Sequence, residues 1–162
     1  MITRPATRAD LPALTAIYNH YVASSHATFD VGAFTTETRT PWFEVFDGVR
    51  YQCWVAEAED KLLGYACSQP FKAKRAYETS VEVSVYVAAN AQQRGIGRAL
   101  YERLLPALEN EDLHRAYAGI AQPNEASMRL HDRFGFQEAA RYTEVGRKFD
   151  RYWDVVWLER PL

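Results

Sequence analysis

Gln92-Gln93-Arg94-Gly95-Ile96-Gly97-Arg98-Ala99-Leu100 decides how this chain is read. Before it, Val81-Glu82-Val83-Ser84-Val85-Tyr86-Val87 alternates as a strand does, and after it, Ala99-Leu100-Tyr101-Glu102-Arg103-Leu104-Leu105 carries apolar side chains at helical spacing. The order is strand, tight loop, helix. Two glycines let the backbone turn sharply and keep side chains out of the way, so amides at the helix start can converge on one anion. Arg94 and Arg98 add positive charge beside those donors. The expected guest is a pyrophosphate.

Two common phosphate loops are excluded by the residues after the glycines. An NTPase loop needs Lys and then Ser or Thr, whereas Gly97 is followed by Arg98 and Ala99. A dinucleotide loop needs a third small residue where Leu100 stands. The remaining pattern, Gln92-x-x-Gly95-x-Gly97, resembles the acyl-CoA loop of the GCN5-related N-acetyltransferase (GNAT) superfamily. Taken alone, the glycine pair also fits a plain turn before a surface helix.

Composition limits the alternatives. A chain of 162 residues, 48% of them hydrophobic, is expected to form a single domain over 1–162 with a real core. A net charge of −2 argues against a nucleic-acid footprint. Cys53 and Cys67 lie in apolar strand-like runs without metal or disulfide spacing, so they read as reduced core thiols of a cytoplasmic protein, with no metal site. No apolar run approaches the roughly 18 residues of a membrane span, and the N-terminus lacks a signal-like apolar region. No nucleic-acid or membrane partner is expected.

Along the chain, residues 2–5 read as a first strand. Thr7 and Asp10 have capping-box spacing ahead of a helix whose Leu11, Leu14, Ile17, Tyr18 and Tyr21 share one face. Residues 24–30 form a polar loop suited to a pocket wall, with Phe29 either facing the pocket or anchoring the loop. A helix is expected over 36–46, a hairpin over 51–58 and 62–68, and a basic interruption at Lys72, Lys74 and Arg75. After the central unit come a strand at 115–121, a helix from Glu125 to Phe134 stopped by Gly135, and closing strands over 137–145 and 151–158. Trp153 and Trp157 should face the same side of the last of these.

The late helix strengthens the resemblance. Asn124-Glu125-Ala126-Ser127-Met128-Arg129-Leu130-His131-Asp132-Arg133-Phe134-Gly135-Phe136 is similar to the corresponding GNAT helix. His131 stands where most members carry a Tyr that protonates the departing thiolate, a departure that resembles the phosphinothricin and methionine-sulfone N-acetyltransferase subgroup. Tyr18-Asn19-His20-Tyr21, the basic-aromatic segment from Lys72 to Tyr77, and Val85-Tyr86-Val87 match that subgroup too.

The resemblance implies a mixed α/β (α+β) GNAT fold: a mostly antiparallel central sheet splayed at strands 4 and 5, with helices on both faces. Acetyl-CoA would lie in the splay, its pantetheine arm on Val85, Tyr86 and Val87 and beside Asn124, its pyrophosphate on Gln93, Arg94, Gly95, Ile96, Gly97 and Arg98. Phe29, Arg75, Tyr77, Glu78 and Glu82 would contact a small amine substrate, and the protein would be a homodimer.

The chemistry needs a base, because an amine with a lysine-like pKa is protonated at pH 7. Glu82 is the candidate: it alternates with Val81 and Val83 and so faces with Ser84 and Tyr86. Its plainer reading is a solvated strand carboxylate paired with a lysine. A backbone amide near Val85 would serve the oxyanion, and His131 the thiolate, although a lone helical His is more often structural. The expected activity is acetylation of a small amino-acid analogue by direct transfer. Acetylation of protein termini or lysines, and a non-catalytic acyl-CoA-binding module, are the alternatives.

Overall fold

The computed structural model describes residues 1–92 and 94–162. Gln93, expected in the pyrophosphate loop, lies outside the described residues. The strands are β1 (Ile2–Pro5), β2 (Cys53–Ala58), β3 (Lys61–Pro70), β4 (Ser80–Val87), β5 (Arg115–Ala121), β6 (Gln137–Lys148) and β7 (Arg151–Pro161). The helices are α1 (Leu11–Ser24), α2 (Thr36–Phe43), α3 (Ile96–Glu109) and α4 (Glu125–Arg133).

Local chemistry sets the helix starts. The Thr7 N–H donates to Asp10 Oδ2 at 2.7 Å, as a capping box requires. Arg4 binds Asp10 at 2.8 Å and Glu57 at 2.6 Å, tying β1 to the start of α1 and to β2. The Arg4 hydrogen bonds hold the Asp10 carboxyl down at about 2, against the opposing effect of burial. Gly95 enters α3 with φ of 75°, a left-handed conformation that glycine adopts without strain. The second helix stops at Phe43, short of the expected 36–46 span; Pro41 lies inside it and removes one backbone donor from so short a helix.

The sheet runs β1-β2-β3-β4-β5-β7-β6. Every neighbouring pair is antiparallel except β4 and β5, which are parallel and pair only from Ser80↔Arg115 to Glu82↔Tyr117. Beyond Glu82 the two strands part, β5 staying on β7 and β4 on β3. The expected splay lies there. The Thr79 carbonyl accepts from His114 N–H on the β5 side, and the Ala88 N–H donates to the Leu63 carbonyl on the β3 side, each at 2.8 Å. Peptide groups alternate sides along a strand, so Val83 and Val85 turn theirs into the gap.

Two cores lie on opposite faces of the sheet. Leu100, Tyr101, Leu104, Leu105 and Leu108 of α3 pack on Val81, Val83, Ala116, Ala118 and Val156. Leu14 and Ile17 of α1, with Trp42 and Phe43 of α2, pack on Cys53, Val55, Tyr65 and Cys67. Alternation along β4 thus sends Val81 and Val83 to the α3 side, leaving Glu82, Ser84 and Tyr86 for the other face. Among the described residues no helix is long and apolar enough to cross a membrane.

Candidate active site

A cavity of about 590 Å³ opens on the α1/α2 face beside the splay, within the range of small-molecule sites. Its floor is set by strand register. Tyr65, Cys67 and Gln69 of β3 stand opposite Tyr86, Ser84 and Glu82 of β4, and directly opposed residues share a face. Trp157 of β7 continues the floor across Gly119 of β5; a Cβ at Gly119 would come within 3.0 Å of the indole. That bare backbone lets the ring lie down on the sheet.

The wall is the loop that leaves α1. Lys148 fixes it: its buried Nζ donates to the carbonyls of Tyr21, Ser25 and Thr28 at 3.2, 2.6 and 2.9 Å. His26 stacks on Trp153 at 4.1 Å and bonds the Pro123 carbonyl through Nε2 at 2.8 Å. Phe29 is seated against Gly146, where a Cβ would lie 2.1 Å from its ring. Phe29 therefore lines the cavity and anchors its loop at once. Tyr18 donates its hydroxyl to Asp30, and burial together with that bond pushes Tyr18 up to about 12.

Glu82 lines the cavity, and among the described residues no cation pairs with it. Burial raises its pKa above the ordinary carboxylate value, because the charged form has lost water without gaining a partner. The lysine-paired reading of this strand carboxylate is thereby removed. Cys67 lies on the same floor, its pKa raised to about 12 by burial, and stands opposite Cys53 on β2; both are free thiols. The two cysteines are equidistant from Asp60 at the hairpin turn, which is why the register opposes them.

The other expected residues separate into those near the splay and those away from it. Val85 presents its peptide to the gap. The Val87 carbonyl accepts the Tyr21 hydroxyl at 2.6 Å. The first intrahelical bond at the head of α3 runs from Ala99 N–H to the Gly95 carbonyl, so the amides of Ile96, Gly97 and Arg98 precede the helical ladder. Arg94 and Arg98 are exposed there, and Arg98 pairs with Glu102 at 2.6 Å. Asn124 caps α4, its Oδ1 accepting from Ser127 N–H at 3.1 Å. Gly97 has a packing reason as well: a Cβ there would meet Leu130 of α4 at 3.1 Å.

His131 is placed elsewhere. It is buried between α3 and α4; Nδ1 bonds the Ser127 carbonyl at 2.8 Å and Nε2 bonds the Tyr101 hydroxyl at 2.9 Å. The carbonyl requires Nδ1–H, and burial disfavours a second proton on Nε2, which leaves Nε2 to accept from the Tyr101 hydroxyl. Burial lowers its pKa accordingly. Both ring nitrogens are engaged within the core, and His131 is not among the residues that line the cavity.

Arg75, Tyr77 and Glu78 also lie off the cavity of their own chain. Their exposed turn carries Tyr77 against Phe71 at 6.1 Å and Glu78 beside Arg50 at 3.6 Å. Sequence reading missed Arg39 instead. It is buried on α2 and lines the cavity, yet "Thr-Arg-Thr-Pro-Trp" in an amphipathic segment resembles any surface helix. Among the described residues no group of three or more His, Cys, Asp or Glu side chains is arranged to hold a metal.

The family profile described as "Acetyltransferase (GNAT) domain" matches residues 3–157. A phosphinothricin N-acetyltransferase of Streptomyces coelicolor is 59% identical over 98% of this chain and 95% of its own length. An L-methionine sulfoximine/L-methionine sulfone acetyltransferase of Salmonella typhimurium is 35% identical over 100% of this chain and 95% of its own. Among solved structures, a phosphinothricin acetyltransferase from Sinorhizobium meliloti in complex with acetyl-CoA superposes with a TM-score of 0.94 at 30% identity, covering 99% of this chain and 88% of the other. A structure named as a ribosomal-protein-alanine N-acetyltransferase, from Brucella melitensis, has a TM-score of 0.95 at 38% identity over 100% of both chains.

Proposed function

The chain belongs to the GNAT acetyltransferase family, and on that premise we infer that it acetylates the amino group of a compact amino-acid analogue of the phosphinothricin or methionine sulfone type. The observation that carries this reading is Glu82: an unpaired, desolvated carboxylate facing a cavity at the point where β4 and β5 part.

The residues present fit acetyl-CoA. The open β4 edge at Val85, with Tyr86 and Val87 beyond it, offers strand-like pairing to a pantetheine arm. The first-turn amides of Ile96, Gly97 and Arg98, the left-handed Gly95 and the Arg94 and Arg98 side chains suit a pyrophosphate. The side-chain amide of Asn124 stands at the head of α4. When bound, the co-substrate supplies an acetyl group activated as a thioester.

Glu82 takes a proton from the substrate ammonium, directly or through one water, so that the nitrogen lone pair is free to attack the acetyl carbon. The new C–N bond gives a tetrahedral oxyanion, whose collapse breaks the C–S bond; the sulfur leaves with the electron pair and takes up the proton that the nitrogen sheds on becoming an amide, so that the free thiol is released. The Val85 amide, on the β4 edge that parts from β5, serves that oxyanion. No protein nucleophile is needed: the cavity cysteine, Cys67, is held as a thiol by burial, which argues for direct transfer over an acyl-enzyme.

Acetylation of a protein terminus is the second reading, favoured by the likeness to the Brucella melitensis protein. Thiol release from acetyl-CoA, measured with methionine sulfone, methionine sulfoximine and phosphinothricin against peptides with an N-terminal alanine, separates the two. Turnover of the free amino acids at a kcat/KM well above that for peptides is expected; the reverse order overturns the reading. For assembly we propose a homodimer through β6 and β7. β6 is a sheet edge, and Tyr142, Val145, Phe149 and Tyr152 are exposed along the hairpin. Light scattering should give twice 18.6 kDa at micromolar concentration.

A further inference from the structure

Two buried side-chain polar atoms have no hydrogen-bond partner among the described residues: Arg39 Nε and Tyr65 Oη. Both side chains line the same cavity. Unmet polar groups are rare in protein interiors, and two at one spot ask for a common cause.

Arg39 is 7% exposed on α2. Its guanidinium carbon lies 3.8 Å from the centre of the Tyr18 ring, 4.2 Å from Trp42 and 4.9 Å from Phe34. No ion pair among the described residues includes it. The ring faces replace some of the hydration lost on burial, but a π-face satisfies charge without accepting along the N–H directions. An arginine cannot escape by deprotonating. Tyr65 is fully buried, and its ring meets Trp42 edge-on at 5.8 Å, so the Tyr65 ring and the Arg39 guanidinium both pack on the same indole. Arg39 lines the same cavity as Tyr65, Cys67 and Tyr86 of the floor, and its charge opposes the upward shift that burial gives those three groups. Cys67 also feels Glu82, so a positive and a negative group act on the floor together.

We propose that Arg39 and Tyr65 form the seat for an oxyanion of the acceptor, orienting it so that its amino group faces Glu82. A planar guanidinium fork and a hydroxyl donor suit a carboxylate or a phosphinate, and a rigid aromatic cage fixes the fork before the ligand arrives. The assignment rests on the cavity being the acceptor site. It adds Arg39 to the substrate contacts, where the sequence had pointed to Arg75.

The test uses Arg39→Gln and, as a conservative variant that keeps the packing, Tyr65→Phe. Acceptors are methionine sulfone, whose only anion is the α-carboxylate, its carboxamide, which has none, and phosphinothricin carboxamide, which keeps only the phosphinate. For the seated anion, Arg39→Gln should raise the acceptor KM about 10²-fold and Tyr65→Phe roughly tenfold, with the acetyl-CoA KM unchanged. The preference of wild type for the charged acceptor over the uncharged carboxamide should collapse. Collapse in the methionine sulfone pair assigns the carboxylate; collapse between the two carboxamides assigns the phosphinate. If both preferences persist in Arg39→Gln, or in Tyr65→Phe where the first variant fails to fold, the seat is refuted. Calorimetry without acetyl-CoA separates this from the acetylation reading. Methionine sulfone bound by wild type and not by the variants, in an enzyme that acetylates no free amino acid, would keep the seat and remove that reading.

Discussion

The two faces of the sheet treat polar groups in opposite ways. Between α3, α4 and the sheet, His131 is as buried as the leucines around it, yet both its nitrogens are bonded, to Tyr101 and to Ser127. On the α1/α2 face, Arg39 and Tyr65 hold unmet donors and Glu82 holds an unpaired carboxylate. A satisfied polar pair stabilises and fixes a core, whereas an unmet group raises the free energy of the empty protein until something binds it. Both faces carry an apolar core, but the unmet side-chain donors lie on the α1/α2 face, where the proposed seat is.

Substitutions on each face should keep the two properties apart. Leu104 is fully buried in α3, and Leu104→Ala should lower unfolding free energy by about 2–5 kcal/mol in urea titrations, with the acceptor KM little changed below the new melting point. A large KM change with little loss of stability would break the contrast.

Glu82→Gln should do the reverse, lowering turnover at pH 7 on the order of 10²-fold or more while leaving acetyl-CoA affinity intact, and losing less at high pH where free amine is available. Its stability should not fall. Because the folded pKa of Glu82 is raised from 4.5, wild type is relatively stabilised at low pH and loses that stability as pH rises through the raised value. Melting curves of the variant should therefore match wild type near pH 4 and lie higher near pH 8. A variant less stable at both would make Glu82 a structural strand residue.

Tyr101→Phe sharpens the other side. Removing the hydroxyl leaves the buried His131 Nε2 without its donor, a cost of about 1–3 kcal/mol, and turnover at a temperature where the variant is folded should stay near wild type. Loss of turnover without loss of stability would return His131 to the chemistry. The smallest effect belongs to the cavity wall. In Gly146→Ala the added methyl would overlap the Phe29 ring, and displacing the ring should raise the acceptor KM several-fold, on the scale of about 1 kcal/mol for one moved contact, with the acetyl-CoA KM unchanged.

Much of this was legible one residue at a time. Alternation along residues 81–87 placed Glu82 on the opposite face from the valines, and the glycine pair marked the start of α3. The Thr7–Asp10 capping box, the hairpin and the stop at Gly135 follow equally local rules, and each stands in the fold. The acceptor side was not legible in that way. Arg39 lies far along the chain from Tyr65 and Glu82, and nothing near it distinguishes a caged arginine from a solvated one. Arg75, in an openly basic segment close to Glu82, was an expected substrate contact, but nearness in sequence did not carry it to the cavity lining of its own chain. His131 shows the same limit: its helix was recognisable, while its partner Tyr101 is supplied by another helix.

Sequence by itself determined the strand, loop and helix of the central unit, the alternation that exposes Glu82, and through its motifs the family. These depend on backbone periodicity and on what glycine permits, which act over a few residues. The residue at which β4 parts from β5, the cage around Arg39 and the closure of both His131 nitrogens were decided only by tertiary structure. Each is a matter of which groups from distant segments meet away from water, and hydration lost or hydrogen bonds made there are properties of the packed whole.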